Sequence, residues 1–590
     1  MTIAHDTKRG RLWSRVRPLL YLVAMAGFVC MSLYAKWHPA QGGEAAPSRK
    51  AFGGEAQKTD PNAKGAKGKK KQAEPVKSSV LGPIPGLGKK LDYHDLARII
   101  DAEVAKRMAA EGLKPSPRSD DSEFLRRVYL DLTGVIPSAD KVEAFLKDTD
   151  AGKRAKVIDE LLSDPRFGKS LGEAWSGLMM PRESNNRRLD HTPLQQWLAK
   201  EFNADVPLNK LVFDLVTATG TTEDNGATAY FVGNATVDKM TDNVTRMFMG
   251  VQLQCAQCHN HPFTDWKQTE YWAMAAFFMK TKLTANPQMA AKKGIAPGIT
   301  EMAVKGGGKK QGLPDSAKIV PAKFLQGETP KLKPSEPYRP VLAQWMTAPN
   351  NPFFARAMVN RFWYQLFGRG LVNPVDDMHK DNPPTHPELL AAMTEQFKTS
   401  GFDTKYLVRA ICNSETYQRT SKPADGNQDD DRFLSHRVVR VMTPEQLYDS
   451  LSTLVGPAGG KKGGMDKKGP MAGKKGPANP RDNFLNFFRI DEGADPREYQ
   501  AGIPQALRLM NSGQSNNTGA TVANSMEEGD NVPKQVIERL YLHALSRPPS
   551  AEETERLVSY VRDKGEPGPR AAYSDILWAV LNSSEFAFNH

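Results

Sequence analysis

Cysteine is scarce in this chain, with 4 in 590 residues. Cys30 falls in an apolar segment near the N-terminus, which leaves Cys255, Cys258 and Cys412 for the rest of the protein. That is too few for a disulfide framework, so the fold has to rest on a hydrophobic core. Catalytic signatures are also missing. There is no glycine-rich phosphate loop, no dinucleotide fingerprint and no nucleophile elbow. Nor is there a fixed-period repeat, which excludes solenoids and propellers. Uninterrupted apolar runs are rare too, and only Leu19 to Ala35 is long enough to consider as a membrane segment.

The net charge of +13 first suggests a nucleic-acid partner. Its distribution argues otherwise. Residues 1–90, 281–318 and 456–481 hold the whole positive excess, and the remainder is net acidic. Nucleic-acid binding by the folded part is therefore not expected.

Lys8, Arg9, Arg11, Arg15 and Arg17 precede the apolar run, and Lys36 closes it. A basic flank before about 17 apolar residues reads as a signal peptide or signal anchor. The positive-inside rule then places the body outside the cytoplasm, in the periplasm, at the inner membrane or secreted. Residues 1–38 form that segment, and residues 39–92, rich in Ala, Gly, Lys and Pro, read as a disordered basic linker.

From residue 93 the apolar period is helical. The expected fold class is mainly α, with two packed helical bodies over 93–280 and 319–590 and few short strands. Gly/Lys stretches at 281–318 and 456–481 read as disordered inserts. Ser138 is placed as an N-cap, and Thr443 with Gln446 and Ser550 with Glu553 fit capping boxes. A long helix is expected from Asp238 into Cys258, and a short strand over Lys318–Phe324. Helices are also expected over Gln268–Lys280, Pro352–Phe367, Pro387–Lys398, Tyr406–Tyr417, Pro444–Val455, Lys534–Ala544, Ala551–Asp563 and Ala571–Leu581.

Cys255-Ala256-Gln257-Cys258-His259 carries the chemistry. Two thiols three residues apart with an imidazole directly after them is the c-type haem attachment pattern. On a helical turn the sulfurs share one face, and His259 can reach iron from the same side. Haem c is the leading cofactor. Zinc or another metal held by Cys255, Cys258, His259 and His261 is the alternative, as is a local disulfide with no cofactor. Met240, Met247, Met249, Met274 and Met279 are near in sequence, but a Met stripe at helical spacing belongs to core packing. A weaker polar set, Asn360, Arg361, Trp363, Arg369, Asp376, Asp377 and His386, is a candidate cleft lining. Cys412 reads as buried.

Several stretches resemble a known family. Leu130-Asp131-Leu132-Thr133-Gly134-Val135-Ile136-Pro137, then Phe248-Met249-Gly250-Val251-Gln252-Leu253-Gln254 leading into Cys255, and His261-Pro262-Phe263 with Trp266 are similar to the planctomycete-type cytochrome-c-like domain of unknown function. Asn351-Pro352-Phe353-Phe354-Ala355-Arg356-Ala357-Met358-Val359-Asn360-Arg361, Phe367-Gly368-Arg369-Gly370-Leu371-Val372 and Leu581-Asn582-Ser583-Ser584-Glu585-Phe586 resemble its C-terminal companion domain. The resemblance implies an exported protein related to c-type cytochromes, but it implies no defined activity. Whether the chain is an enzyme stays open. The expected roles are electron transfer to a redox partner protein in the cell envelope, or a non-enzymatic envelope scaffold. A polysaccharide hydrolase has no motif here.

Overall fold

Helix ends in this chain are written by side chains that take up orphan backbone donors. In the computed structural model Asp92, Asp120, Ser138, Asp164 and Asp403 each accept a backbone N–H at the start of a helix. Thr443 with Gln446 and Ser550 with Glu553 close full capping boxes, as expected. Residues 88–181, 183–184, 187–284, 295–301, 317–456, 480–488, 508–512, 515–564 and 568–590 are described. The apolar segment at 19–35, most of the linker and most of the insert at 456–481 lie outside them. Among the described residues no helix is long and apolar enough to cross a membrane.

The described residues are mainly helical with a few short strands, as the periodicity implies. Helices run Tyr93–Ala110, Asp121–Thr133, Ala139–Lys147, Lys153–Ser163, Pro165–Met179 and Thr192–Asn203 in the first part. Phe354–Phe367, Pro387–Thr399, Thr404–Asn413, Pro444–Val455, Pro533–Leu545, Ala551–Asp563 and Pro569–Leu581 follow in the second.

Residues 86–590 form one compact unit, so the two expected helical bodies are packed together. One core cluster runs from Leu96 through Trp175, Phe248 and Trp363 to Leu542. A second joins Leu130 and Ile136 to residues between Met442 and Phe586. The helix Asp121–Thr133 explains why. Arg126 donates to the carbonyls of Ala544 and Phe586 at 2.9 and 2.8 Å. Arg127 donates to those of Tyr417, Arg419 and His590 at 2.8, 2.9 and 3.1 Å, and pairs with Glu123 at 2.6 Å. Buried guanidinium groups must find acceptors, and here the second part of the chain supplies them.

Four expectations change. The insert at 281–318 is not wholly outside the fold, because Thr281–Leu283 and Gly298–Glu301 pair with Gly220–Thr221 in a three-stranded antiparallel sheet. Ile299 is buried there, and Glu301 pairs with the buried Arg339 at 3.2 Å. Lys318–Phe324 is irregular rather than a strand, since it is held by Phe324 stacked between Phe277 and Trp345. The helix expected over Tyr406–Tyr417 breaks at Ser414, whose hydroxyl caps the next turn by accepting from Tyr417 N. The long helix into Cys258 also ends early, for a reason that belongs to the site.

Candidate functional site

The helix Val237–Val244 loosens into a π-turn over Thr245–Met249 and stops at Gly250, in the left-handed region at φ 67°. A left-handed residue reverses the chain at a helix end and favours glycine. A Cβ here would meet the Met378 sulfur at 3.0 Å and the Ala357 Cβ at 3.3 Å. Val251 and Leu253 then anchor an irregular strip in the core, and Gln254–Gln257 forms a 3₁₀ turn. Cys255, Cys258 and His259 therefore sit on a surface turn rather than at the end of a buried-face helix.

Cys255 lies within this turn and Cys258 caps its end; both are exposed, while Ala256 is buried in the core. No disulfide braces the turn. Its carbonyls are held instead: Trp272 Nε1 and Gln268 Nε2 donate to Gln257 O at 3.0 and 3.1 Å, and Gln268 Nε2 donates to Cys258 O at 2.8 Å. His259 Nδ1 lies 2.6 Å from Asn260 O, which places its proton on Nδ1 and leaves the Nε2 lone pair available.

His261 has a different task. Its Nδ1 accepts from Phe263 N at 3.2 Å and Thr264 N at 3.0 Å, closing the turn through Pro262. Burial holds its pKa below the ordinary histidine value, against an opposing pull from Asp377 and with help from His379 and His259. It is therefore a neutral, structural ring. Phe263 beside it is 81% exposed. The four methionines Met240, Met247, Met249 and Met274 are buried in the core, and Met279 packs against it.

The structure brings a second loop to this turn. Asp376 accepts from Gln252 Nε2 at 3.0 Å and pairs with Arg246 at 3.5 Å. Met378 N donates to Gly250 O at 2.8 Å, and Lys380 pairs with Asp265 at 2.6 Å. His379 lies between Asp377 at 3.5 Å and Asp381 at 3.8 Å. The candidate cleft lining thus separates. Asp376 and Asp377 join the cysteine-bearing turn, while Asn360 secures their loop by hydrogen bonds to both backbone groups of Val372. Arg361 donates to Arg246 O, Trp363 stacks on Phe367, and Arg369 pairs with Asp431. His386 is buried elsewhere against Phe433, and burial, then Arg107, pushes it down to about 4.

His379 and Asp381 were not anticipated from the sequence, although Asp376-Asp377-Met378-His379 sets a histidine just after the anticipated acid pair. Asp242 was not anticipated either. Burial pushes its carboxyl up to about 7, Asp238 adds to the shift, and the Tyr271 hydroxyl offsets only part of it. Among the described residues no three His, Cys, Asp or Glu side chains are gathered to hold a metal ion.

Two protein-family models match the chain, in the order that the motifs imply. PSCyt2, protein of unknown function (DUF1549), matches residues 99–283, and PSD1, protein of unknown function (DUF1553), matches residues 338–484. The first match includes the cysteine-bearing turn, and the second includes the Asp376–Asp381 loop that packs on it. No curated protein and no solved structure matches.

Proposed function

We propose that this protein is an electron carrier of the cell envelope in which Cys255 and Cys258 attach a haem covalently and His259 Nε2 ligates its iron. The observation that carries this reading is the His259 ring, held by Nδ1 against Asn260 O directly after two exposed cysteines, one within a 3₁₀ turn and one capping it. A hydrogen bond at the far nitrogen fixes the tautomer and raises the basicity of the ligating one. A haem held here supplies one-electron redox chemistry. The protein's own groups do the positioning. Trp272 and Gln268 fix the turn that bears both sulfurs, and Ala256 pins it to the core. Exposure favours surface exchange of electrons with a partner protein, with Phe263 as an apolar contact. In this reading residues 1–38 direct export and hold the body outside the membrane.

The test is to express the full chain in a host competent for c-type maturation and record a pyridine haemochrome spectrum. A covalent haem signal that is lost in Cys255→Ser and Cys258→Ser is expected. Both cysteines are exposed, so these variants should keep their fold, changing stability by less than about 0.5 kcal/mol. A folded, colourless wild-type protein refutes the reading. Stoichiometric zinc in that colourless protein would favour the metal alternative.

A further inference from the structure

Two buried polar groups lie beside the cysteine-bearing turn. Asp242 is on the helix Val237–Val244, and its Oδ1 is shut off from water with no hydrogen-bond partner. Tyr271 is on the helix Gln268–Ala275, fully buried, and its hydroxyl has no hydrogen-bond partner either. Both helices pack against the Gln254–Gln257 turn. Buried polar atoms left in this way are rare in a folded protein, and two together call for an explanation.

The two groups act on each other, and the turn acts on them. The Tyr271 hydroxyl pulls the Asp242 pKa down against the larger effect of burial. Burial, then Asp242, raises the Tyr271 phenol far above its ordinary value, and Cys258 adds to the same shift. A charge that changes at the turn therefore reaches this pair. The surrounding charges leave Asp242 uncompensated. Asp238, one turn earlier, repels it, and Arg246, which attracts it, is held by Asp376 at 3.5 Å and by the Leu178 carbonyl at 3.4 Å. Glu270, on the Tyr271 helix, accepts the Lys267 N–H at 2.9 Å. The remaining titratable side chains on these elements are the exposed Lys239, Cys255 and Cys258.

A buried carboxyl without a counter-ion holds a proton, and gives it up when the field around it becomes more positive. One-electron exchange at the turn makes that change, since oxidation leaves the centre one unit more positive. Two unit charges roughly 12 Å apart under a protein surface alter each other's equilibria about tenfold. Resting on the haem reading above, we infer that Asp242 is a redox-linked proton site. Its carboxyl binds a proton when the centre at Cys255, Cys258 and His259 is reduced, and releases it when that centre is oxidised. A one-electron partner protein supplies and removes the electron, and solvent supplies and receives the proton. Tyr271 is a positioning residue, because its hydroxyl steadies the ionised carboxylate.

The test is a spectroelectrochemical titration of the full-length protein, made in a host competent for c-type maturation, between about pH 5 and pH 9. A tenfold coupling appears as a midpoint potential about 59 mV higher at the acid end than at the alkaline end, because the neutral carboxyl favours the extra electron. Burial pushes the carboxyl up to about 7, which puts the fall inside this range. Asp242→Asn keeps the shape and cannot ionise, so it should hold the acid-side potential throughout. Tyr271→Phe should keep the fall but move it to higher pH, a displacement that loss of packing alone does not produce. The pyridine haemochrome signal should be unchanged in both variants. A coloured wild type whose midpoint ignores pH, or an Asp242→Asn variant that keeps the fall, overturns the inference while the haem reading stands. A colourless wild type overturns the haem reading and this inference with it.

Discussion

Gly250→Ala tests the step on which the site depends, the reversal that turns a helix into a surface-facing, cysteine-bearing turn. The residue sits at φ 67°, where a side chain costs about 1–2 kcal/mol in backbone strain. The added methyl would also lie 3.0 Å from the Met378 sulfur and 3.3 Å from the Ala357 Cβ. Met378 is flexible and can yield, but Ala357 lies on the buried face of the helix Phe354–Phe367 and cannot. Overpacking of this kind adds about 1–3 kcal/mol. Reduced freedom of the unfolded chain returns about 0.4–1 kcal/mol. The net loss is then about 2–3 kcal/mol, read as a lower urea midpoint with an unchanged slope. Hydrogen exchange at the Met378 amide, which donates to Gly250 O at 2.8 Å, should quicken. Gly177→Ala is the control, because it adds a methyl in open space within a helix and should stabilise by about 0.5–1 kcal/mol. A loss below about 1 kcal/mol for Gly250→Ala, or equal effects of the two substitutions, refutes the reasoning.

Glu123→Gln strips the carboxylate from a buried pair and should cost about 3–5 kcal/mol in denaturant unfolding, because Arg127 keeps its charge with no counter-ion. Burial lowers the His386 pKa from 6.5 to about 4, so the unfolded chain binds the extra proton between those values. The contribution of His386 is present above pH 6.5 and lost as pH falls towards 4, and His386→Gln should flatten that limb of a stability–pH curve. Asp242 has the opposite sign. Its pKa rises from 3.8 to about 7, so its contribution is full below pH 3.8 and is lost as pH rises through 7. Asp242→Asn should remove a downward slope of at most about 1.4 kcal/mol per pH unit across that window, and an unchanged curve would discount the buried carboxyl.

Local rules made much of the fold readable. Ser138, Thr443 with Gln446, and Ser550 with Glu553 cap where their spacing says they should, since a cap is decided within four residues. Cys412 is buried on an apolar face of the helix Thr404–Asn413, as its neighbours imply. The helix expected from Asp238 into Cys258 ends early without warning, because Met240, Val244, Phe248 and Val251 stay apolar at helical spacing across Gly250: the core covers helix and irregular strip alike, so periodicity carries no mark of the break. Long-range pairings left no trace at all. Gln252 meets Asp376 across 124 residues, and nothing in either stretch names the other. The buried arginines were hidden for a related reason. Arg126 and Arg127 sit among Phe124, Val128 and Leu132 and resemble the polar side of an amphipathic helix until their carbonyl partners are known.

Those arginines also tie the first matched segment to the rest of the chain. Separating the chain at the connection after Leu283 would leave Arg126 and Arg127 without the carbonyls of Tyr417, Arg419, Ala544 and Phe586. It would also strip the cysteine-bearing turn of Asp376 and of the Met378 amide that holds Gly250. A buried guanidinium that loses its acceptors cannot simply return to water while its helix stays packed. The first segment would have to open its core to solvate the two charges, and the second would have to repack the loop from Asn373 to Asp381. The cysteine-bearing turn is therefore shaped by both segments, even though every residue of Cys255-Ala256-Gln257-Cys258-His259 belongs to the first.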